Sequence, residues 1–498
     1  MRSKKPIERV LILGGGSAGW MAAAVLSKAL GARAKITLIE SEEIGIVGVG
    51  EATIPMIRNI NAFLGIDEDA FVRATNGTFK LGIEFNDWAR LGDRYIHAFG
   101  DIGFPLGFAP FHHFVLRAGD PQRLWDYSLN ARAAYADRFG KLERVGETRL
   151  SGVKWAFHFD AALYAKFLRN EAEKRGVARI EGKVAAARLR DDGFIARVDM
   201  EDGRAFDADL FIDCSGFRAV LIEGALGSGF EDWTRFLPCD RAVAAPCAHG
   251  RAIRPFTQSS AQKAGWQWRI PLQSRVGNGH VYCSAMISDD EAERVLRTNL
   301  EGAIQADPRI IRFRTGMRRE VWKKNCVALG LASGFMEPLE STSIHLVQSV
   351  VSRLVSMFPD RAFDDALIAE FNRQTRFEYE RIRDFLILHY HANERDDSEF
   401  WRACRAMAIP DTLSAKIDLF RASGRVYREH EELFTESGWT QVMIGQRIIP
   451  ESYHPLADQV PLEHAHGFLR DVKASVERAV ASLPMHEDFI SKNCKSAA

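Results

Sequence analysis

Three groups of residues have the types and spacing to do chemistry. Gly14, Gly16 and Gly19 stand as G-x-G-x-x-G within Gly14-Gly15-Gly16-Ser17-Ala18-Gly19, and the acid Glu40 follows. In this pattern the first glycine allows a tight turn, the second lets backbone approach a pyrophosphate, and the third lets helix and strand pack closely. The helix N-terminus offers unpaired N–H groups to phosphate, and an acid about twenty residues on accepts hydrogen bonds from a ribose. Lys80 lies in the segment TFKLGIEF. An ammonium donates hydrogen bonds in several directions, and the neutral amine is a nucleophile. Glu340 and Ser341 lie in the mostly apolar segment MEPLESTSIHLV. A carboxylate there is costly to bury without a partner or a task, and proton removal is such a task. The plainer alternative is a Glu-Ser-Thr cap before a helix.

The elements that must position these groups follow from pattern. Arg9–Leu13 reads as a buried parallel strand, WMAAAVLSKAL as a helix stopped by Gly31, and KITLIE as the next strand. Two further strands run into small-residue turns, at Asp209–Gly216 (with Asp213) and Cys326–Gly334 (with Leu331). In two-domain flavoproteins such returning strands flank the dinucleotide fold, which favours FAD over NAD. No second G-x-G-x-x-G sits between strand and helix, so electrons are expected from another protein. Alternation in TFKLGIEF alone puts Lys80 on the solvent face, paired with Glu84. Trp266 and Trp268, in GWQWRIPL, point to one face of a strand and form a flat aromatic wall, with Pro271 ending ladder donation. Residues 95–114, rich in Phe, Gly and Pro, read as a loop. Residues 366–390 and 467–483 read as helices, and the Gly438-Trp439 region as loop-like.

The bulk composition excludes several classes. The chain has 498 residues, 46% apolar and 27% charged, with 66 basic and 66 acidic residues. That balance argues for neither nucleic acid nor a membrane surface as partner. Seven scattered cysteines without a CxxC point to a reducing cytoplasm. The polar start does not read as a signal peptide, and no apolar run of about 18 residues is present. His112-His113 and His389-x-His391 are expected to diverge on a helix, and no metal site is expected.

The motifs also occur together, in order, over residues 9 to about 345: Gly14-x-Gly16-x-x-Gly19, Gly48-Val49-Gly50-Glu51-Ala52-Thr53-Ile54-Pro55, Phe79-Lys80-Leu81-Gly82, Trp266-Gln267-Trp268-Arg269-Ile270-Pro271 and Glu337-Pro338-Leu339-Glu340-Ser341-Thr342. The sequence resembles the flavin-dependent tryptophan halogenases in these segments and matches them loosely after about residue 355. The resemblance implies an α/β, flavoprotein-monooxygenase-like fold. Its Rossmann-type FAD-binding module would occupy residues 1–350 discontinuously, with a substrate loop at about 95–114, and a mainly helical region at 351–498 would cover the substrate side. It implies FAD held by Gly14, Gly16, Ser17, Ala18, Gly19, Glu40, Gly50, Glu51, Ala52, Thr53, Asp213 and Leu331. FADH2 and O2 would convert halide into hypohalous acid, which Lys80 uses for electrophilic halogenation of an indole-like ring. Glu340 would stabilise the cationic ring and take its proton, supported by Ser341.

By the same resemblance Thr342 and Ser343 lie at the halide site. Family members usually carry glycine where this chain has Ser343, and bromide is expected to serve at least as well as chloride. Trp266, Trp268, Ile270 and Pro271 would wall the flavin from organic substrate. His97 and Phe99 would sandwich the ring, with Trp439 a candidate pocket wall. The tyrosine pair that grips free tryptophan does not align, so free or substituted indole is favoured. A separate NAD(P)H-dependent flavin reductase is the implied partner, and a homodimer is compatible with the family. An aromatic hydroxylase and a non-catalytic flavin-binding protein remain alternatives.

Overall fold

The computed structural model describes residues 5–43 and 50–497; Gly48 and Val49 of the second motif lie outside the described residues. The chain forms two compact units, each drawn from three stretches. One comprises Met1–Asn76, Phe159–Arg235 and Phe313–Glu380; the other comprises Gly77–His158, Phe236–Arg312 and Arg381–Ala498.

The first unit is built on a six-stranded sheet. Its strands run in the order Trp322–Lys323, Cys326–Ala328, Leu210–Asp213, Arg9–Leu13, Lys35–Glu40, Ala178–Glu181. All neighbours are parallel except the edge strand Trp322–Lys323. Both returning strands therefore join the dinucleotide sheet as expected, Leu210–Asp213 beside Arg9–Leu13 and Cys326–Ala328 beside Leu210–Asp213. Val10, Leu11 and Ile12 are buried, as a parallel strand covered on both faces requires. The helix Ser17–Leu30 is buried continuously from Gly19 to Ser27 and ends on Gly31 at φ 56°. Its alanine run permits close packing against helices Ala161–Glu173 and Ser343–Ser356. Two three-stranded antiparallel sheets, within 184–207 and 230–335, complete the unit.

The second unit holds a seven-stranded sheet in the order Arg309–Arg312, Arg241–Cys247, Val276–Tyr282, Gly265–Pro271, Thr257–Gln262, Gly82–Asn86, Arg94–Ala98. Only Thr257–Gln262 and Gly82–Asn86 pair in parallel. The tryptophan strand is central and buried at every position. Helices surround this sheet, among them Phe111–Arg117, Glu436–Gly445 and Leu462–Ser482. The helical run expected at 366–390 spans Asp365–His391.

Two readings need correction. Residues 95–114 are not one loop: Tyr95–Ala98 close a strand and Phe111 opens a helix. The irregular part is residues 99–110, where Gly100, Gly103 and Gly107 take positive φ and Pro110 precedes the helix. Trp439 lies on the helix Glu436–Gly445 and not in a loop. Gly438, which suggested a loop, allows close approach instead, as does Gly445 on the same helix. A Cβ on Gly438 would lie 3.0 Å from His97 Nε2, and one on Gly445 would lie 2.4 Å from the Tyr95 ring. No helix among the described residues is long and apolar enough to cross a membrane.

Candidate active site

In the first unit the glycine turn divides into packed and open positions. Gly14 sits at φ 113°, and a Cβ there would lie 2.2 Å from the Cys214 carbonyl oxygen. A Cβ on Gly19 would lie 1.8 Å from the Gly14 oxygen. These two glycines are needed by the fold itself. Gly16 is different, because a Cβ there would meet nothing within 4 Å. The helix beginning at Ser17 has neither a side-chain cap nor an acid in its first turn. An open glycine beside an uncapped helix N-terminus fits the pyrophosphate of FAD.

Glu40 packs beneath this turn, where a Cβ on Gly15 would overlap its Oε2 at 1.4 Å. The carboxylate accepts hydrogen bonds from Trp20 Nε1 at 3.2 Å and Arg179 Nε at 2.5 Å. Arg179 carries no local sequence signal; it reaches Glu40 because strands Lys35–Glu40 and Ala178–Glu181 pair in parallel. Asp213 is fully buried and turned toward its own chain. It accepts from the Ser215 N–H and hydroxyl at 3.0 and 2.6 Å, and from the Leu221 and Ile222 N–H groups at 2.7 and 2.8 Å. Leu331 lies on the short 3-10 helix Gly330–Ala332, and a Cβ on Gly330 would come 2.9 Å from the Ala18 Cβ. Gly50, Glu51 and Ala52 form a short strand, followed by buried Thr53.

Glu340 closes a second 3-10 turn, Pro338–Glu340, and is 1% exposed. Ser341 then adopts φ 59°, ψ 39°, and Thr342 and Ser343 lead into the helix Ser343–Ser356. Thr342 holds the cap position without making a side-chain capping bond. A left-handed serine costs on the order of 1–3 kcal/mol and persists only where its surroundings fix it. The helix that follows is braced by Glu378. Its Oε1 lies 2.9 Å from His345 Nε2, while Oε2 accepts from Ser349 Oγ at 2.8 Å and Arg353 at 2.9 Å. Gln348 Nε2 also donates to the Met56 carbonyl at 2.6 Å, joining this helix to the segment after Thr53.

In the second unit Lys80 is fully buried, and the alternation reading of TFKLGIEF is overturned. The segment is two strands, not one. Thr78–Lys80 pairs with the Ala156–His158 stretch, whereas Gly82–Asn86 belongs to the seven-stranded sheet. Leu81 is the crossing point: its N–H donates to the Pro255 carbonyl at 2.7 Å and its carbonyl accepts from the Phe99 N–H at 2.8 Å. Lys80 and Glu84 therefore do not form a solvent pair. Glu84, 1% exposed, accepts from Gln258 Nε2 at 2.6 Å. Lys80 Nζ lies 5.4 Å from the centre of the Phe99 ring. Nearby His158 is held neutral, its pKa pushed well down by burial and then by the Lys80 charge.

His97 and Phe99 are both buried at the end of the Arg94–Ala98 strand. The His97 ring lies 5.5 Å from Phe385, and the Trp439 ring meets the same Phe385 edge-on at 4.7 Å. Trp439 Nε1 donates to Glu432 at 3.2 Å. Trp266 and Trp268 are neighbours at 6.1 Å but tilted by 58°, so the wall is not flat. The tilt follows from their seats. Trp268 lies over Gly279, where a Cβ would fall 2.1 Å from the ring, while Trp266 meets Trp88 at 6.3 Å. Ile270 is buried, and the Pro271 carbonyl accepts from Thr78 Oγ1 at 2.7 Å, two residues from Lys80. His112 and His113 do not diverge; their rings lie 4.1 Å apart. Each has its own partner, His112 with the Gly424 carbonyl and His113 with the His454 N–H. Among the described residues no group of three or more candidate ligands could hold a metal.

The structure thus gathers the glycine turn, Glu40, Asp213, Leu331 and the Glu340–Ser343 turn in one unit. Lys80, the tryptophan strand, His97, Phe99 and Trp439 lie in the other. A family model described as tryptophan halogenase matches residues 9–462. Tryptophan 7-halogenase RebH of Lentzea aerocolonigenes is 35% identical over 97% of this chain and 98% of its own. Tryptophan 6-halogenase SttH of Streptomyces toxytricini is 38% identical over 95% and 96%. The solved flavin-dependent halogenase Xcc4156 from Xanthomonas campestris superposes with a TM-score of 0.95 at 48% identity, over 99% of this chain and 100% of the other. BrvH from Brevundimonas sp. BAL3, also a flavin-dependent halogenase, gives 0.94 at 45% identity, over 97% and 99%.

Proposed function

The chain belongs to the tryptophan halogenase family and is a flavin-dependent halogenase, and from that premise we propose that it halogenates indole or a substituted indole in preference to free tryptophan. The observation that carries the lysine's part is burial: a primary amine with no exposure, beside an aromatic face. Removing an amine from water is costly and is retained where the amine has a task. Glu340, equally buried beside a strained serine, supports the second role.

Gly16, Ser17, Ala18 and the first-turn N–H groups would hold the FAD pyrophosphate, with Gly14 and Gly19 shaping the turn. Glu40, Gly50, Glu51, Ala52, Thr53 and Leu331 would line the remaining cofactor site, and Asp213 fixes its floor through the 215–222 turn. Reduced FAD supplies the activation of O2 that turns halide into hypohalous acid. Lys80 Nζ holds the electrophilic halogen against the substrate ring, and Glu340, supported by Ser341, takes the ring proton. Backbone N–H groups at Thr342 and Ser343 hold halide. The Ser343 side chain reshapes that seat and favours bromide at least as much as chloride. Trp266, Trp268, Ile270 and Pro271 keep organic substrate from the oxidising centre. His97 and Phe99 sandwich the ring, and Trp439, in the helical 351–498 region, walls it. A separate NAD(P)H-dependent flavin reductase supplies FADH2. The seven free thiols suit a cytoplasmic location.

The test uses purified enzyme, FAD, NADH and a flavin reductase, with bromide and chloride in competition. Indole, 3-substituted indoles, tryptophan and phenols are offered, and products are read by mass and isotope pattern. Brominated indoles are expected, and they should disappear in both Lys80→Ala and Glu340→Gln. Hydroxylated product would make the enzyme a hydroxylase. Preferred turnover of tryptophan, or mainly chlorinated product, would overturn the substrate or halide preference.

A further inference from the structure

The second unit contains a cavity of about 750 Å³ that the ring-binding residues do not account for. Cavities of roughly 300–1,000 Å³ enclose drug-sized molecules, so a bicyclic ring alone leaves this one largely unfilled. Two elements tie its lining to His97 and Phe99. Its first wall, Asp101 to Phe111, continues directly from Phe99. Its second wall includes Ser437 and Thr440 on the helix Glu436–Gly445. The same helix seats Gly438 against His97 and, through Gln441, bonds both the N–H and the carbonyl of Ala98 at 3.0 and 3.1 Å.

The lining has polar groups that the chain leaves unsatisfied. Arg425 Nε is buried without a hydrogen-bond partner, and so are Ser437 Oγ and Thr440 Oγ1. Thr440 is only 2% exposed. Buried polar atoms are nearly always partnered, so three around one cavity call for a ligand with acceptor atoms. Charge points the same way. Burial lowers the His112 pKa to about 4 and that of His113 to about 3, so both are neutral at pH 7. Of the two acids, Asp101 accepts from Ser151 Oγ and Glu436 from the Arg428 N–H. Arg149 stacks on Phe104 at 4.9 Å. Neither it nor Arg425 forms an ion pair among the described residues. Phe108, 89% exposed at the rim, is an apolar surface that nothing in the chain covers.

Building on the indole-halogenase reading, we propose that the substrate is an indole bearing an extended arm that ends in a carboxylate, with the arm in this cavity and the carboxylate on Arg425. The apolar part of the arm covers Phe104 and Phe108, and Ser437 and Thr440 donate to its acceptor atoms. A guanidinium suits a carboxylate because it offers parallel donors and is always charged.

The test measures binding by calorimetry to the FAD-loaded enzyme. The probes are indole, an indole whose C3 carries a chain of about six atoms ending in a carboxylate, and the same chain ending in an alcohol. The carboxylate probe is expected to bind about tenfold tighter than the alcohol, equivalent to about 1.4 kcal/mol. Arg425→Gln should erase that preference while leaving the affinity for indole unchanged. Arg425→Lys should keep part of it, and Thr440→Val should weaken both long probes about equally. Equal affinity for carboxylate and alcohol in the wild type, or a preference that survives Arg425→Gln, overturns the proposal. Turnover of the same probes with reductase and bromide separates the two readings. Halogenation of none of them removes the indole-halogenase reading and this inference with it. Halogenated indole without a carboxylate preference removes this inference alone.

Discussion

Two places, one in each unit, treat buried polar groups in opposite ways. In the first unit, Asp213 and Glu378 are closed off by their own chain. Asp213 takes four hydrogen bonds from residues 215–222, and Glu378 takes bonds from His345, Ser349 and Arg353. The open position there is a glycine, Gly16, which presents backbone. In the second, the cavity is lined by side chains left without partners, Arg425, Ser437 and Thr440. A cofactor that never changes can be held by backbone on a rigid floor. A substrate is selected by side chains whose bonds are completed only when it arrives. The contrast predicts that function can be damaged in either unit without damage to the other.

The largest separation is expected at Lys80. Lys80→Met keeps the buried volume and removes the amine. Halogenated product should fall by at least about 10³-fold, the upper part of the range for a lost proton-transfer or nucleophilic group. FAD affinity, measured by fluorescence titration, should stay within about twofold. A parallel fall in FAD affinity would break the division of labour between the units.

The reverse experiment is Asp213→Ala. It strips acceptors from three backbone N–H groups and a hydroxyl, at a cost of about 3 kcal/mol of stability. FAD affinity should drop, while the carboxylate-tailed indole keeps its affinity. Denaturant melts and the two titrations read these effects together. A loss of probe binding equal to the loss of flavin binding would show that the units are not independent.

How much of this was legible in the sequence differs between the units for the same reason. Arg9–Leu13, the glycine turn, the helix ending at Gly31 and Lys35–Glu40 are set by contacts close along the chain, so spacing identifies them. Lys80 is set by a crossing between two sheets at Leu81, which rests on Pro255 and Phe99. Alternation in one short segment carries no trace of that crossing, and it put a buried lysine on the surface. Gly438 suggested a loop because its purpose, contact with His97, lies more than 300 residues away. Arg179, Arg425 and Thr440 have no motif at all. They are recognised only by what they touch or fail to touch.

A smaller effect tests the tryptophan strand. Trp268 rests on Gly279, so Gly279→Ala places a methyl group where the indole now lies. Overpacking of this kind costs about 1–3 kcal/mol. If the tilted pair shields the oxidising centre, the variant should release more hydrogen peroxide per halogenated product, with FAD affinity unchanged. An unchanged peroxide-to-product ratio, with lowered stability, would make the pair a packing feature alone.

The smallest expected effect sharpens the comparison from the first unit's side. Burial works to raise the Glu378 pKa, but His345 and Arg353 outweigh it and hold the carboxyl at about 2, against an ordinary 4.5. A folded-state pKa below the unfolded one means the native state binds fewer protons over that range. The stabilisation is therefore complete above about pH 4.5 and fades as the pH falls toward 2. Glu378→Gln keeps the shape but loses the charge, so it should be less stable than the wild type at pH 7. The two should converge as melts are taken from pH 4.5 downward. Because Glu378 braces the helix that begins at Ser343, Glu378→Gln should also raise the half-saturating bromide concentration a few-fold at pH 7 while leaving the carboxylate preference of the cavity intact. A constant stability gap across the acid range would mean that Glu378 acts through packing and not through its charge.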